Sequence, residues 1–123
     1  MRMVDTFDGM GENSCRTALE VRQNNVFCIG GKLIEPGLIE HVAQSAAAFS
    51  GFEAYSKGEP PKVGYLAEIK SFSFFRLPLV GEVIRTDMTL TGKILGMSLV
   101  HGVVTSGDGK IAEGDLKVYI PEE

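Results

Sequence analysis

Histidine and cysteine are scarce in this chain of 123 residues: His41 and His101 are its imidazoles, Cys15 and Cys28 its thiols. Two of each is too few for a zinc cluster built on Cys-x-x-Cys pairs, and the spacing gives no helical His-Glu-x-x-His site. A disulfide framework is excluded as well, and two thiols in a reducing compartment read as small buried apolar residues. Basic charge is in deficit, with a net charge of −4. A protein that lives on a phosphate backbone needs the opposite balance, so no nucleic-acid partner is expected. Long hydrophobic runs are missing. The longest stretch without Asp, Glu, Lys or Arg, Ile94 to Gly107, is too short to span a bilayer and is broken by Ser, His and Gly. The first acid, Asp5, leaves no room for a signal-peptide core, so the expected location is the cytoplasm, with no membrane partner. Phosphate cradles and nucleophile elbows are also lacking. Gly9-Met10-Gly11 has no third glycine, Gly30-Gly31-Lys32 has neither the upstream glycine nor a following Ser or Thr, and no Ser stands in Gly-x-Ser-x-Gly.

What is present is the composition of one globular domain, 44% hydrophobic and 23% charged, and the expectation is a single domain over residues 1–123. One segment stands apart. From Pro36 to Phe52 the only formal charge is Glu40, and Leu38, Ile39, Val42, Ala43, Ala46, Ala47, Phe49 and Phe52 fall on nearly every helical face. A helix apolar all round is a buried helix. Pro36 suits its first turn, and Gly58 followed by Pro60-Pro61 stops it. Small side chains at Ala43, Ala46 and Ala47 would let another layer approach closely.

Beyond Gly64 the pattern changes to period two. Thr86, Met88 and Leu90 share one face, and Ala112 to Ile120 alternates small or apolar residues with polar ones plus Tyr119. Such alternation reads as antiparallel sheet with one wet face. Ser106-Gly107-Asp108-Gly109 is a hairpin turn, because Asp-Gly supplies positive φ angles. Two extended stretches precede the helix, around Arg2–Phe7 and Cys15–Gln23. The predicted architecture is α+β: an antiparallel sheet wrapped around one long buried helix. An open sheet edge invites pairing, so a symmetric dimer, with further assembly open, is expected.

Glu40-His41-Val42-Ala43-Gln44 on the helix resembles the Glu-Ala-Met-Ala-Gln motif of the hot-dog-fold β-hydroxyacyl-acyl-carrier-protein dehydratases. Gly64-Tyr65-Leu66-Ala67-Glu68-Ile69-Lys70, leading to Phe74-Phe75-Arg76-Leu77-Pro78-Leu79-Val80-Gly81-Glu82, is similar to that family's Tyr-Phe-x-Gly-Ile-Asp strand and Phe-x-x-Pro-Val-x-Pro-Gly-Asp turn. The likeness covers nearly the whole chain, and is strongest to a divergent dehydratase-like branch of aryl-polyene-type pathways. It implies a hot-dog fold and dehydration of a 3-hydroxyacyl thioester held on acyl carrier protein or coenzyme A, with no cofactor or metal. It further implies a homodimer with sites across its interface.

Carried over by residue, Glu40 matches the family's acid/base glutamate and Gln44 the glutamine that steadies it; their i, i+4 spacing independently puts them on one face. The family's histidine is missing. The corresponding turn reads Cys28-Ile29-Gly30-Gly31-Lys32-Leu33, with Lys32 at the matching place, and the loop on to Glu40 is shorter than in the housekeeping enzymes. His41 is the candidate replacement, against the plainer reading of a packed histidine. Gly30, Gly31 and Lys32, with Gly37 at the helix start, are the candidate substrate-binding residues. Two alternatives stay open: a thioester hydrolase on the same fold, and a non-catalytic subunit that binds acyl chains or an active paralogue.

Overall fold

The computed structural model describes residues 2–56, 58, 65–107 and 109–119. Strands β1 (Thr6–Met10) and β2 (Ser14–Glu20) lead through a short hairpin, β3 (Cys28–Ile29) and β4 (Lys32–Leu33), into helix α1 (Glu35–Ser56). Strands β5 (Tyr65–Phe74), β6 (Val83–Ile94), β7 (Met97–Ser106) and β8 (Gly109–Tyr119) follow. Six strands form one sheet in the order β1-β2-β6-β7-β8-β5, every neighbouring pair antiparallel, so β1 and β5 are its edges. The helix packs against one face of this sheet, as the alternation requires: Ile84, Thr86 and Met88 of β6 are buried while Arg85 and Asp87 are exposed.

Helix α1 starts at Glu35, so Pro36 lies in the first turn, where its missing N–H removes no helical bond. Its run extends beyond the charge-poor stretch to Ser56, and Gly58, the expected stop, takes a left-handed φ of 72°. The side chain of Phe52 and the Pro60-Pro61 stop lie outside the described residues. Leu38, His41, Val42, Ser45, Ala46 and Phe49 are buried, and the remaining residues from Ile39 to Gly51 are at least half-buried. Close approach to the sheet depends on a strand glycine as well as on the helix alanines. A Cβ on Gly102 of β7 would sit 2.6 Å from Val42 Cγ1.

The N-terminal strands differ from the sequence reading. Pairing begins at Thr6, and β2 ends at Glu20. Residues before Thr6 are drawn instead against α1: Met3 is fully buried in the core with Leu19, Leu38 and Val42. Asp5 fastens this segment to β2, its N–H donating to Ala18 O at 2.8 Å and its carboxylate accepting from Glu20 N–H and Arg22. The predicted hairpin after Ser106 is present, with Ser106 opposite Gly109 and φ of 60° at Gly107; Asp108 lies outside the described residues.

Candidate active site at the start of the central helix

One turn into α1, Gln44 Nε2 donates to Glu40 Oε1 at 3.2 Å. The other end of the amide, Oε1, accepts from Met3 N–H at 2.7 Å. Met3 is gripped twice, because its carbonyl accepts from His41 Nδ1 at 2.6 Å. A carbonyl can only accept, so Nδ1 carries the hydrogen. Burial pushes the His41 imidazole below its ordinary pKa, although the Met3 carbonyl and the Asp5 charge pull the other way. The ring is therefore neutral near pH 7, and Nε2 accepts from Thr86 Oγ1 at 2.7 Å. His41 and Thr86 are both fully buried, whereas Glu40 and Gln44 are half-buried. Every ring nitrogen of His41 is thus spent on the protein, an arrangement that suits packing better than proton transfer to a substrate.

Behind this group, Ser45 Oγ donates to His41 O at 2.8 Å and meets Thr17 Oγ1 at 2.7 Å. Cys15 Sγ donates to Ser45 O, and burial, with the Asp87 charge, pushes its thiol up to about 12. Burial also raises the half-buried Cys28 thiol. Neither cysteine is a ready nucleophile.

Gly30 and Gly31 are the two central residues of the β3–β4 hairpin, both at positive φ (62° and 78°), which a two-residue turn of this hand demands. Lys32 follows on the exposed side of the hairpin. The hairpin is pinned away from the main sheet: Leu33 N–H donates to Pro78 O at 2.9 Å and Val80 N–H to Gly31 O at 3.0 Å. Gly37 is where hairpin and helix meet. A Cβ there would sit 2.6 Å from Phe27 Cβ and 2.7 Å from Leu33 Cδ1, and its N–H is already given to Ile34 O at 2.9 Å. Among the described residues, this rim exposes Val26, Ile29 and Leu79.

The predicted residues therefore form two units joined at Gly37: the Glu40–Gln44 pair with His41 beneath it, and the Gly30–Lys32 hairpin. His101 is elsewhere, on the sheet face opposite α1, between Asp115 Oδ1 (2.9 Å) and Glu113 Oε2 (3.0 Å). Met3 and Thr86 are the residues that sequence reasoning missed. The available signal was a histidine inside an apolar helix, which needs two polar partners, opposite an inward-facing threonine in β6.

An antiparallel sheet packed on one long helix is the hot-dog architecture, shared with solved structures of that fold. Over residues 1–123 the sequence matches the ApeP-like family, described as ApeP dehydratase, and the chain belongs to it. Among solved structures it is similar to the dehydratase heterocomplex ApeI:P from Xenorhabdus doucetiae, with TM-score 0.90 and 19% identity over 99% of this chain and 84% of that one. It is also similar to smu.793 from Streptococcus mutans bound to acetyl CoA (TM-score 0.73, 13% identity, 100% and 94% covered). A hypothetical thioesterase from Streptococcus pneumoniae with coenzyme A gives TM-score 0.73 and 11% identity, covering 96% of this chain and 89% of that one. At such identities these structures show the shared fold. No curated protein sequence matches the chain at a significant level. No helix among the described residues is long and apolar enough to cross a membrane.

Proposed function

We propose that the protein dehydrates 3-hydroxyacyl thioesters carried on acyl carrier protein or coenzyme A, with Glu40 as its acid/base group and Gln44 as the support of that carboxylate. The observation that carries this reading is the Glu40–Gln44 bond, with Gln44 itself held from behind by Met3. In the reaction, a proton leaves the carbon α to the thioester carbonyl, the carbon–oxygen bond at C3 breaks, and the departing hydroxyl is protonated to water. Glu40 supplies one proton-handling group. The exposed apolar rim around the Gly30–Lys32 hairpin supports completion of the site by a second subunit, in a homodimer or higher assembly of this single-domain chain working in the cytoplasm. Lys32 there suits the phosphate of the carrier arm.

A second reading is favoured by Lys32 standing where the resemblance puts a histidine, and by the fully bonded ring of His41. In it the chain is a non-catalytic partner of an active dehydratase, as the heterocomplex of its structural relative suggests. Mass spectrometry of 3-hydroxyacyl and saturated carrier-bound thioesters after incubation with the purified protein decides. Loss of water from the hydroxyacyl substrate alone supports dehydration, free thiol from the saturated one supports a hydrolase, and no change in either supports the partner reading.

A further inference from the structure

We propose that His41 is a positioning residue for Glu40, acting through the backbone of Met3 and the side chain of Gln44. This rests on the dehydratase reading above. A glutamine amide can turn by half a rotation and exchange its oxygen and nitrogen at almost no steric cost. In the turned state Gln44 would present a second acceptor to the Glu40 carboxylate and repel it. The Met3 N–H removes that state, because it can only donate and so accepts only Oε1 as its partner, leaving Nε2 to face Glu40.

Met3 can do this only if its peptide is held at a fixed angle. His41 Nδ1 holds it, donating to the Met3 carbonyl from a ring anchored on its far side by Thr86 of β6. Asn25 Nδ2, 3.3 Å from Met3 Sδ, steadies the side chain. The sequence of bonds runs from the sheet through Thr86, His41, Met3 and Gln44 to Glu40, with every donor assigned. Glu40 Oε1 is fixed by the last bond, and the same carboxylate then presents Oε2 to the substrate. His41 touches no reacting atom.

Two variants separate this role from proton transfer. His41→Asn keeps an N–H close to the place of Nδ1 and loses the Thr86 contact. His41→Gln keeps a polar end near Nε2 for Thr86 and loses the donor to Met3. Each removes the imidazole. The measurements are kcat and KM on a 3-hydroxyacyl-N-acetylcysteamine thioester, with hydrogen exchange of the Met3 amide and of the Gln44 side-chain NH2 by NMR.

The expected result is that His41→Gln lowers kcat about 10²-fold at little change in KM, the scale of a misplaced catalytic group. Both amides then exchange faster. His41→Asn stays within about threefold of wild type with slow exchange, since its bond to Met3 survives. Equal loss of kcat in both variants, with Glu40→Gln inactive, overturns the proposal, as does His41→Gln with unchanged kcat or unchanged Gln44 exchange. Turnover that survives Glu40→Gln overturns the catalytic reading and this proposal with it.

Discussion

Arg76 closes on Glu82 through two parallel bonds, Nη1 to Oε2 at 2.9 Å and Nη2 to Oε1 at 2.7 Å, locking the turn that carries Leu79. The same carboxylate accepts from Leu79 N–H at 2.6 Å and from Ser106 Oγ at 2.8 Å. Arg76 first, then the Leu79 N–H, hold Glu82 at a pKa of about 2 against an ordinary 4.5. Its folded pKa is depressed, so the unfolded chain takes up the proton first. The stabilisation is present above about pH 4.5 and is lost as pH falls toward 2. Glu82→Gln should lower stability at pH 7 by roughly 1.5–3 kcal/mol, the worth of hydrogen bonds to a charged group. Urea melts at pH 7 and pH 3.5 check it: the gap between wild type and variant should narrow in acid.

The two histidines should pull stability in opposite directions with pH. Burial depresses the His41 pKa, so below the ordinary value of 6.5 the unfolded chain binds a proton that the folded one refuses, and stability is lost as pH falls. For His101 the pKa is raised, by Asp115 first and then Glu113 against the cost of partial burial. Its contribution is fully present below 6.5 and is lost as pH rises through the folded value. His101→Gln should therefore steepen the loss of stability on acidification between pH 7.5 and 5.5. Thr86→Val, which leaves His41 Nε2 without a donor, should cost about 1–3 kcal/mol at neutral pH. Thermal melts across that range read both.

Gly102→Ala should destabilise by about 1–3 kcal/mol, because its new methyl meets Val42, a buried β-branched side chain with nowhere to turn. Paired with Val42→Ala the two changes should compensate, the double variant being more stable than the sum of the singles. Additive losses in a double-mutant cycle would mean that helix and sheet are not in contact there.

Glu40→Gln should lower turnover about 10²–10⁴-fold, the usual worth of a general acid or base. Its fold should hold, since the glutamine can still accept from Gln44. Steady-state kinetics with a thermal melt on the same preparation separate the two effects. Sedimentation of both proteins should give at least twice the 13.3 kDa chain mass.

Much of this was readable from local pattern. The two-residue rhythm of β6 and β8, the buried helix after Ile34 and the i, i+4 relation of Glu40 to Gln44 are all short-range signals. What escaped is non-local. Met3 lies 41 residues from Gln44 and Thr86 lies 45 from His41, distances over which no periodicity speaks. The β3–β4 hairpin was legible only as a glycine turn, because strands of two residues carry no alternation. Strand β1 starts at Thr6 rather than Arg2 because Met3 is spent on Gln44 and His41 of the helix, although Asp5 still bonds to β2.

Cys28 to Leu33 is fastened to Pro78, Leu79 and Val80 as well as to its sequence neighbour Asn25. These two stretches, far apart in the chain, behave as one piece of rim. Substitutions in one should be answered in the other as relatives diverge. A chimera that imports the hairpin of another family member without its turn from Arg76 to Glu82 would set the glycines over the wrong ledge.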